Sequence, residues 1–265
     1  MFSNKVYAIT GAGAGIGRAL AMALAERGAQ LALSDIAEAA LAQTIDRLPA
    51  GTPVRGYRVD VSDRAQVEAF ASGAAADFGA VDAVINNAGT SVFGTVEHIT
   101  FEELQRVLAV NLWGVVHGTK AFLPGFLAQR SGCIVNLSSV FGLVASPAQV
   151  AYNMSKFAVR ALTETLWQEL EGTGVLAVLV HPGGIDTDIK QLPPGLQMGD
   201  YERKVRDATQ AMMTTTPAQC AQEILDGLAR GDRRLLVGNG AADLFELARQ
   251  RPDDYGDVLR QGFGL

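Results

Sequence analysis

The chain has 265 residues, 48% of them hydrophobic and 19% charged, with a formal net charge of −6 at pH 7. This balance fits a compact globular chain rather than a disordered one, and an acidic chain without a dense Lys/Arg run argues against nucleic acid and anionic membranes as partners. No uncharged apolar run reaches the roughly 20 residues that span a bilayer, so a soluble protein is expected.

The first apolar run, "VYAIT" at 6–10, reads as a buried strand. The glycine-rich stretch "TGAGAGIGRAL" follows, and Ile16, Leu20, Ala23 and Leu24 then recur at helical spacing until Gly28 closes the pattern. The next run, "AQLALSD", ends in Asp35. Strand, glycine turn, helix, strand and terminal acid form a βαβ unit in which a helix N-terminus meets a pyrophosphate, and the acid falls about 20 residues beyond the glycines, where a ribose-binding carboxylate belongs. The common G-x-G-x-x-G spacing fails here; the glycines that fit are Gly11, Gly15 and Gly17, in a T-G-x-x-x-G-x-G pattern.

Further strand-like runs lie at 54–61, 81–89, 132–139, 175–184 and 233–238, with helical patterns between them. The alternation predicts an α/β fold: one Rossmann-type domain over 1–265, with a doubly wound parallel sheet of about seven strands covered by helices on both faces. Pro124 is expected to end or kink the helical segment 101–128 before its apparent end. Residues 188–216, with a Pro-Pro-Gly turn and an amphipathic stretch, read as a substrate lid. Residues 240–265 read as a C-terminal extension with one extra helix and a partly ordered end. Cys133 and Cys220 read as buried thiols, and a first strand starting by about residue 5 leaves no room for a secretory signal, so a cytoplasmic location is expected.

The chemistry concentrates in "AYNMSK", where Tyr152 and Lys156 stand one helical turn apart. "VNLSS" lies upstream at a predicted strand end, with Ser139 thirteen residues before Tyr152, and Asn111 lies in "AVNLWG" on the preceding helical segment. Strand alternation points Ser138 away from the face of Ser139. His98, His117 and His181 are too scattered for a metal site or a Ser-His-Asp triad; His181 precedes the Pro182-Gly183 turn and is expected to be structural.

In order along roughly residues 5–190, the Thr10–Gly17 turn, Asp60-Val61, Asn86-Asn87-Ala88-Gly89, Asn111, Ser139, Tyr152-Lys156 and "PGGIDT" at 182–187 resemble the short-chain dehydrogenase/reductase family. The resemblance implies a nicotinamide cofactor held by Gly11, Gly15, Ile16, Gly17, Asp35, Asp60, Val61, Asn87, Ala88, Gly89, Pro182, Gly183, Ile185 and Thr187, with Tyr152 and Lys156 at the nicotinamide ribose. It implies Asn111, Ser139, Tyr152 and Lys156 as the catalytic set, Asn111 positioning a water that links Lys156 to solvent. It also implies a homodimer or homotetramer built on the helices that carry Asn111 and Tyr152.

Oxidising an alcohol needs a base for the hydroxyl proton as hydride leaves carbon, and a free tyrosine, with a pKa of about 10, is a poor base at neutral pH. A cation about 4 Å from the phenol contributes around 4 kcal/mol at an effective dielectric of 20, equivalent to lowering the pKa by about three. Lys156, with the positive charge of an oxidised nicotinamide, is therefore expected to let Tyr152 ionise near neutrality, with Ser139 donating a hydrogen bond to the substrate oxygen. Asp35 favours NAD, because a 2′-phosphate would face like charge; Ala14 and Ile36 stand where NADP-using members carry a basic residue, and Arg18 is the nearest cation. Apolar segments around the site, with Ile189, Leu192, Leu196, Met198, Met212 and Met213 in the lid, point to a hydrophobic secondary alcohol or ketone, while Lys190, Arg203, Lys204 and Arg206 offer charges for a distal acid. The alternatives are an NADP-dependent carbonyl reductase and a non-catalytic dinucleotide-binding protein.

Overall fold

Each apolar run forms a strand in the computed structural model, which describes residues 2–187, 189 and 198–265. The strands are β1 (Val6–Thr10), β2 (Gln30–Asp35), β3 (Val54–Arg58), β4 (Ala83–Asn86), β5 (Gly132–Leu137), β6 (Val175–Pro182) and β7 (Arg234–Val237). They pair in parallel in the order β3-β2-β1-β4-β5-β6-β7. Among the described residues the helices are α1 (Gly15–Glu26), α2 (Glu38–Ile45), α3 (Arg64–Phe78), α4 (Phe101–Leu108), α5 (Gly114–Gln129), α6 (Val150–Glu169), α7 (Asp200–Ala211), α8 (Pro217–Arg230), α9 (Ala241–Gln250) and α10 (Tyr255–Gly262).

Alternation along the strands builds two cores. Tyr7, Ile9, Leu33 and Val180 pack with Leu20 and Leu24 of α1 and Ile224 and Leu225 of α8 on one face. Ala8, Val84 and Ile134 pack with Phe70 of α3, Phe122 and Phe126 of α5 and Leu166 of α6 on the other. β1 lies between β2 and β4, so successive crossovers leave it in opposite directions and open a crevice at the carboxyl ends of the strands.

A polar chain pins the second layer to the sheet. Asn86 Nδ2 donates to Asn136 Oδ1 (2.8 Å), and Asn136 Nδ2 donates to Thr163 Oγ1 of α6 (3.0 Å). Gly118 of α5 lets the Asn86 amide fit, since a Cβ there would overlap the amide oxygen. Gly118→Ala is expected to lower stability by about 1–3 kcal/mol through overpacking, read as an earlier urea midpoint. An unchanged midpoint would show that α5 shifts without cost.

Two expectations need correction. Pro124 does not end the helix: α5 continues to Gln129, because the proline is on the solvent side and the carbonyl it leaves unbonded, on exposed Lys120, can turn to water. The irregularity falls earlier, where Ala109–Trp113 winds as a π-helix around Asn111 between α4 and α5, a geometry frequent at functional sites. The C-terminal extension is not a single helix with a loose end. Its α9 and α10 fold back over the strand ends, where Ala241, Leu259 and Phe263 pack with Phe93, Phe141 and Val205 of α7.

Candidate active site

A cleft of about 780 Å³ runs across the strand ends from Asp35 and Ile36 to Ser139, Tyr152 and Lys156. Every cofactor-side residue named from the sequence lines it except Gly17, which sits beneath it. Gly17 is buried against the Gly11 carbonyl and the Asn87 amide, too close for any side chain. Gly11 and Gly15 take positive φ (65° and 51°), which lets the turn pass tightly into α1. Asn87 holds this turn from β4: its Nδ2 donates to the Thr10 carbonyl (2.8 Å) and its N–H to Thr10 Oγ1 (3.0 Å).

The residues fit a dinucleotide. The N-cap of α1 is Ala14, which offers no side-chain cap, and no acid occupies the first turn, so the first N–H groups of the helix open on the cleft at Gly15 and Ile16. At the far end Asp35 accepts from Gly13 N–H (2.8 Å) and Ala37 N–H (2.9 Å), which fixes its carboxylate at the mouth. Arg18 bends away from the cleft: Nε donates to Thr44 Oγ1 (2.9 Å) and Nη2 to the Gly13 carbonyl. Asp60 lines the cleft and also caps its own turn, its Oδ1 accepting from Ser62 N–H (2.9 Å) and Oγ (2.6 Å). Val61 lines the wall beside it, with Val110 opposite, a residue that carries no motif and was not singled out from the sequence.

At the other end α6 starts beside the end of β5. The Ser139 hydroxyl accepts from Phe141 N–H (3.1 Å) and interacts with the Tyr152 phenol. Ser138 turns the other way, donating to the Lys156 carbonyl (2.8 Å), as strand alternation predicts. Lys156 is 3% exposed; its Nζ donates to the Leu137 carbonyl (2.9 Å) and sits over the Tyr152 ring, 5.5 Å from the centroid. Asn111 accepts from Thr90 N–H (2.8 Å) and donates to the Thr90 carbonyl (2.9 Å) and Ser155 Oγ (3.2 Å), tying the loop after Gly89 to α6.

In the chain by itself the phenol is raised rather than depressed. Burial pushes the Tyr152 phenol up to about 12, partly offset by the Ser139 hydrogen bond, and burial pulls Lys156 down to about 8. Desolvation opposes the charged form of both groups.

Beyond the reacting groups, Pro182, Gly183, Ile185 and Thr187 continue from β6 over the N-terminus of α1, where a Cβ on Gly15 would meet Thr187 Cγ2 at 3.2 Å. Phe93, Phe141, Ile189, Met212, Met213 and Leu244 form an apolar wall. Met198 packs with the cluster around Phe141. Arg203 pairs with Asp200 and Arg206 with Asp207, so neither points its charge into the cleft, and Asp186 is exposed. Asp188, Lys190, Leu192 and Leu196 lie outside the described residues. Among the described residues, no group of three or more His, Cys, Asp or Glu is placed to hold a metal ion, and no helix is long and apolar enough to cross a membrane. Cys133 and Cys220 are free thiols, 220 fully buried.

α7 is fastened to the loop before α4 by His98 Nδ1 and Glu202 Oε1, 2.8 Å apart. The hydrogen bond to Glu202 raises the His98 pKa above its ordinary 6.5, and His98 in turn lowers Glu202 below 4.5. The histidine's contribution is therefore complete below its unfolded pKa and lost as pH rises through its raised value, while the glutamate's is lost as pH falls through its lowered one. Hydrogen exchange in α7 is expected to quicken as pH rises past the histidine titration, beyond the intrinsic base dependence of exchange, and Glu202→Gln should flatten that excess. An excess unchanged in Glu202→Gln would contradict the tether.

The short chain dehydrogenase family model matches residues 5–193. The protein named oxidoreductase SadH in Mycobacterium tuberculosis is 42% identical over 264 residues, covering 98% of this chain and 96% of its own. A short chain dehydrogenase/reductase from Burkholderia phymatum, crystallised in complex with NAD, superposes with a TM-score of 0.87 at 34% identity, covering 95% of each chain. A short chain dehydrogenase from Burkholderia cenocepacia in complex with NADP superposes with a TM-score of 0.80 at 25% identity, covering 98% of each chain.

Proposed function

The chain belongs to the short-chain dehydrogenase/reductase family and is an oxidoreductase of CH–OH groups, and from that premise we propose that it uses NAD to interconvert a hydrophobic secondary alcohol and its ketone. The observation that carries this reading is the convergence on one cleft of an uncapped helix N-terminus, the Asp35 carboxylate and the Ser139, Tyr152 and Lys156 side chains.

The bound dinucleotide would accept hydride from the carbinol carbon or return it to the carbonyl. Gly11, Gly15 and Ile16 would hold its pyrophosphate, with Gly17 letting the turn pack on Asn87 beneath, and Asp35 the adenosine ribose. Asp60, Val61 and the Asn87-Ala88-Gly89 turn would flank the adenosine side, and Pro182, Gly183, Ile185 and Thr187 the nicotinamide. Tyr152 takes the hydroxyl proton in oxidation and gives it back in reduction, while the Ser139 hydroxyl donates to the substrate oxygen as charge develops there. A phenol held up at about 12 is protonated at neutral pH, the form that gives a proton in reduction. Lys156 would hold the nicotinamide ribose. Asn111 fixes the loop and Ser155 around the ammonium.

NAD over NADP rests on Asp35 at the mouth and on Arg18 being turned toward Thr44 and Gly13. The NAD-bound relative, at 34% identity, supports the same choice over the NADP-bound one at 25%. The substrate class rests on the apolar wall from Phe93 to Leu244. A homodimer or homotetramer built through α4–α6 is supported by exposed Phe101, Trp113, Met154 and Phe157 along those elements, and light scattering tests it, a monomeric mass overturning it. For the substrate, NAD+ turnover is compared across secondary alcohols of increasing apolar length, sugars and phosphorylated alcohols. Rates that climb with apolar length support the reading; preference for a sugar or a phosphate overturns it.

A further inference from the structure

His181 is fully buried on β6, does not line the cleft, and belongs to no step described above. Its Nδ1 lies 2.7 Å from the Ser139 carbonyl oxygen and its Nε2 lies 3.1 Å from Arg234 Nη1. A carbonyl only accepts and a guanidinium only donates, so both neighbours demand one form: neutral imidazole with the proton on Nδ1. Protonating Nε2 would set an N–H against a guanidinium in a buried place. The pKa of His181 accordingly falls to about 4, burial being the largest cause.

Arg234 is itself fixed. Its guanidinium lies over the Trp167 ring at 5.2 Å and the Phe245 ring at 5.5 Å, and Nη2 reaches Glu164 Oε1 at 2.7 Å. Glu164 also accepts from Arg160 Nε at 2.8 Å. Arg160, Glu164 and Trp167 ride on α6, the helix that carries Tyr152 and Lys156. The contacts therefore run from the backbone of Ser139 through His181 and Arg234 to the helix that holds its partner phenol.

We propose that His181 is a positioning residue for Ser139: its Nδ1–H holds the serine carbonyl, and Arg234 locks the tautomer that makes this possible. The proposal rests on the dehydrogenase reading for its kinetic test and on geometry alone for its spectroscopic one. A small displacement of the serine would cost rate without cost to dinucleotide binding, because Ser139 faces the substrate oxygen and the other contact of His181, Arg234, lies outside the cleft.

The test uses the full chain and the pair His181→Asn and His181→Gln. Asn Nδ2 sits on Cγ as His Nδ1 does and can keep the donor to Ser139, whereas Gln Nε2 occupies the place of Nε2 and cannot. His181→Leu is expected to lower kcat by about ten- to hundredfold, with NADH affinity unmoved. Asn should recover most of the loss and Gln little of it. Equal losses in Asn and Gln, or a Leu variant with wild-type kcat, overturn the proposal; if the Leu variant does not fold, the Asn–Gln comparison decides. In the wild type, nitrogen NMR should show the Nδ1–H tautomer of His181 from pH 5 to 8, shifting in Arg234→Met; an Nε2–H tautomer overturns the proposal whatever the activity. A wild type that turns over no secondary alcohol and reduces no ketone would count against the dehydrogenase reading, leaving the NMR result to decide the role of His181.

Discussion

Tyr152→Phe is expected to cut turnover by about a thousandfold, within the range that a positioned proton donor contributes, while leaving NADH binding nearly intact. The phenol stands beside Ser139 at the cleft wall, and the other titratable group there, Lys156, donates a hydrogen bond to the Leu137 carbonyl. The remaining carboxylates of the wall, Asp35 and Asp60, lie at the far end of the cleft, where they already accept backbone N–H bonds from Gly13, Ala37 and Ser62. Among the described residues, no carboxylate, imidazole or second phenol lines the cleft beside Ser139. The phenylalanine ring keeps the contact that Tyr152 makes with Phe141, whose rings meet edge-on at 6.4 Å, so the fold should hold. Steady-state rates with NADH fluorescence titration separate the two effects. A variant with wild-type kcat would remove Tyr152 from the chemistry.

Asp35→Ser is expected to weaken NADH by about a hundredfold, roughly 2.7 kcal/mol, as one or two hydrogen bonds to a charged acceptor are lost. NADPH should gain relative to NADH because the like charge that would face its 2′-phosphate is gone. The carboxylate also accepts Gly13 and Ala37 N–H, so some stability is lost with it, and a thermal melt of the variant separates that loss from the loss of affinity. An unchanged ratio of NADH to NADPH affinity would mean that Asp35 does not read the ribose.

The parts of this molecule that were legible in the sequence are those written locally. The turn from β1 into α1 is a run of glycines whose positive φ and close packing leave no other residue type, and Asp35 ends the next strand. Tyr152, Lys156 and Ser139 could be placed because a helical turn and a strand end fix their directions. Alternation separates Ser138 from Ser139 and the family spacing to Tyr152 favours Ser139; the Ser138 hydroxyl donates to the Lys156 carbonyl while the Ser139 hydroxyl accepts from Phe141 N–H.

What stayed hidden depends on distant residues. His181 and Arg234 are 53 residues apart and Arg234 and Glu164 are 70 apart, so no local pattern announces their contact. Leu244 reaches the cleft only because α9 folds back, and Asn86, read as part of the cofactor turn, spends its amide on Asn136 in the core. The π-helix at Asn111 carries no signature that separates it from an ordinary amphipathic helix. The burial that raises Tyr152 is hidden for a related reason: a pairwise attraction is visible in sequence spacing, whereas desolvation is set by everything packed around the pair.

The most direct measurement is the initial rate at which reduced nicotinamide forms when the wild-type protein meets one hydrophobic secondary alcohol with NAD+ or, separately, with NADP+. Turnover with NAD+ at least about tenfold faster than with NADP+ is predicted, a difference of about 1.4 kcal/mol. A faster rate with NADP+ would contradict the role given to Asp35, and binding of either dinucleotide with no turnover of any such alcohol, and no reduction of the matching ketones, would contradict the substrate class.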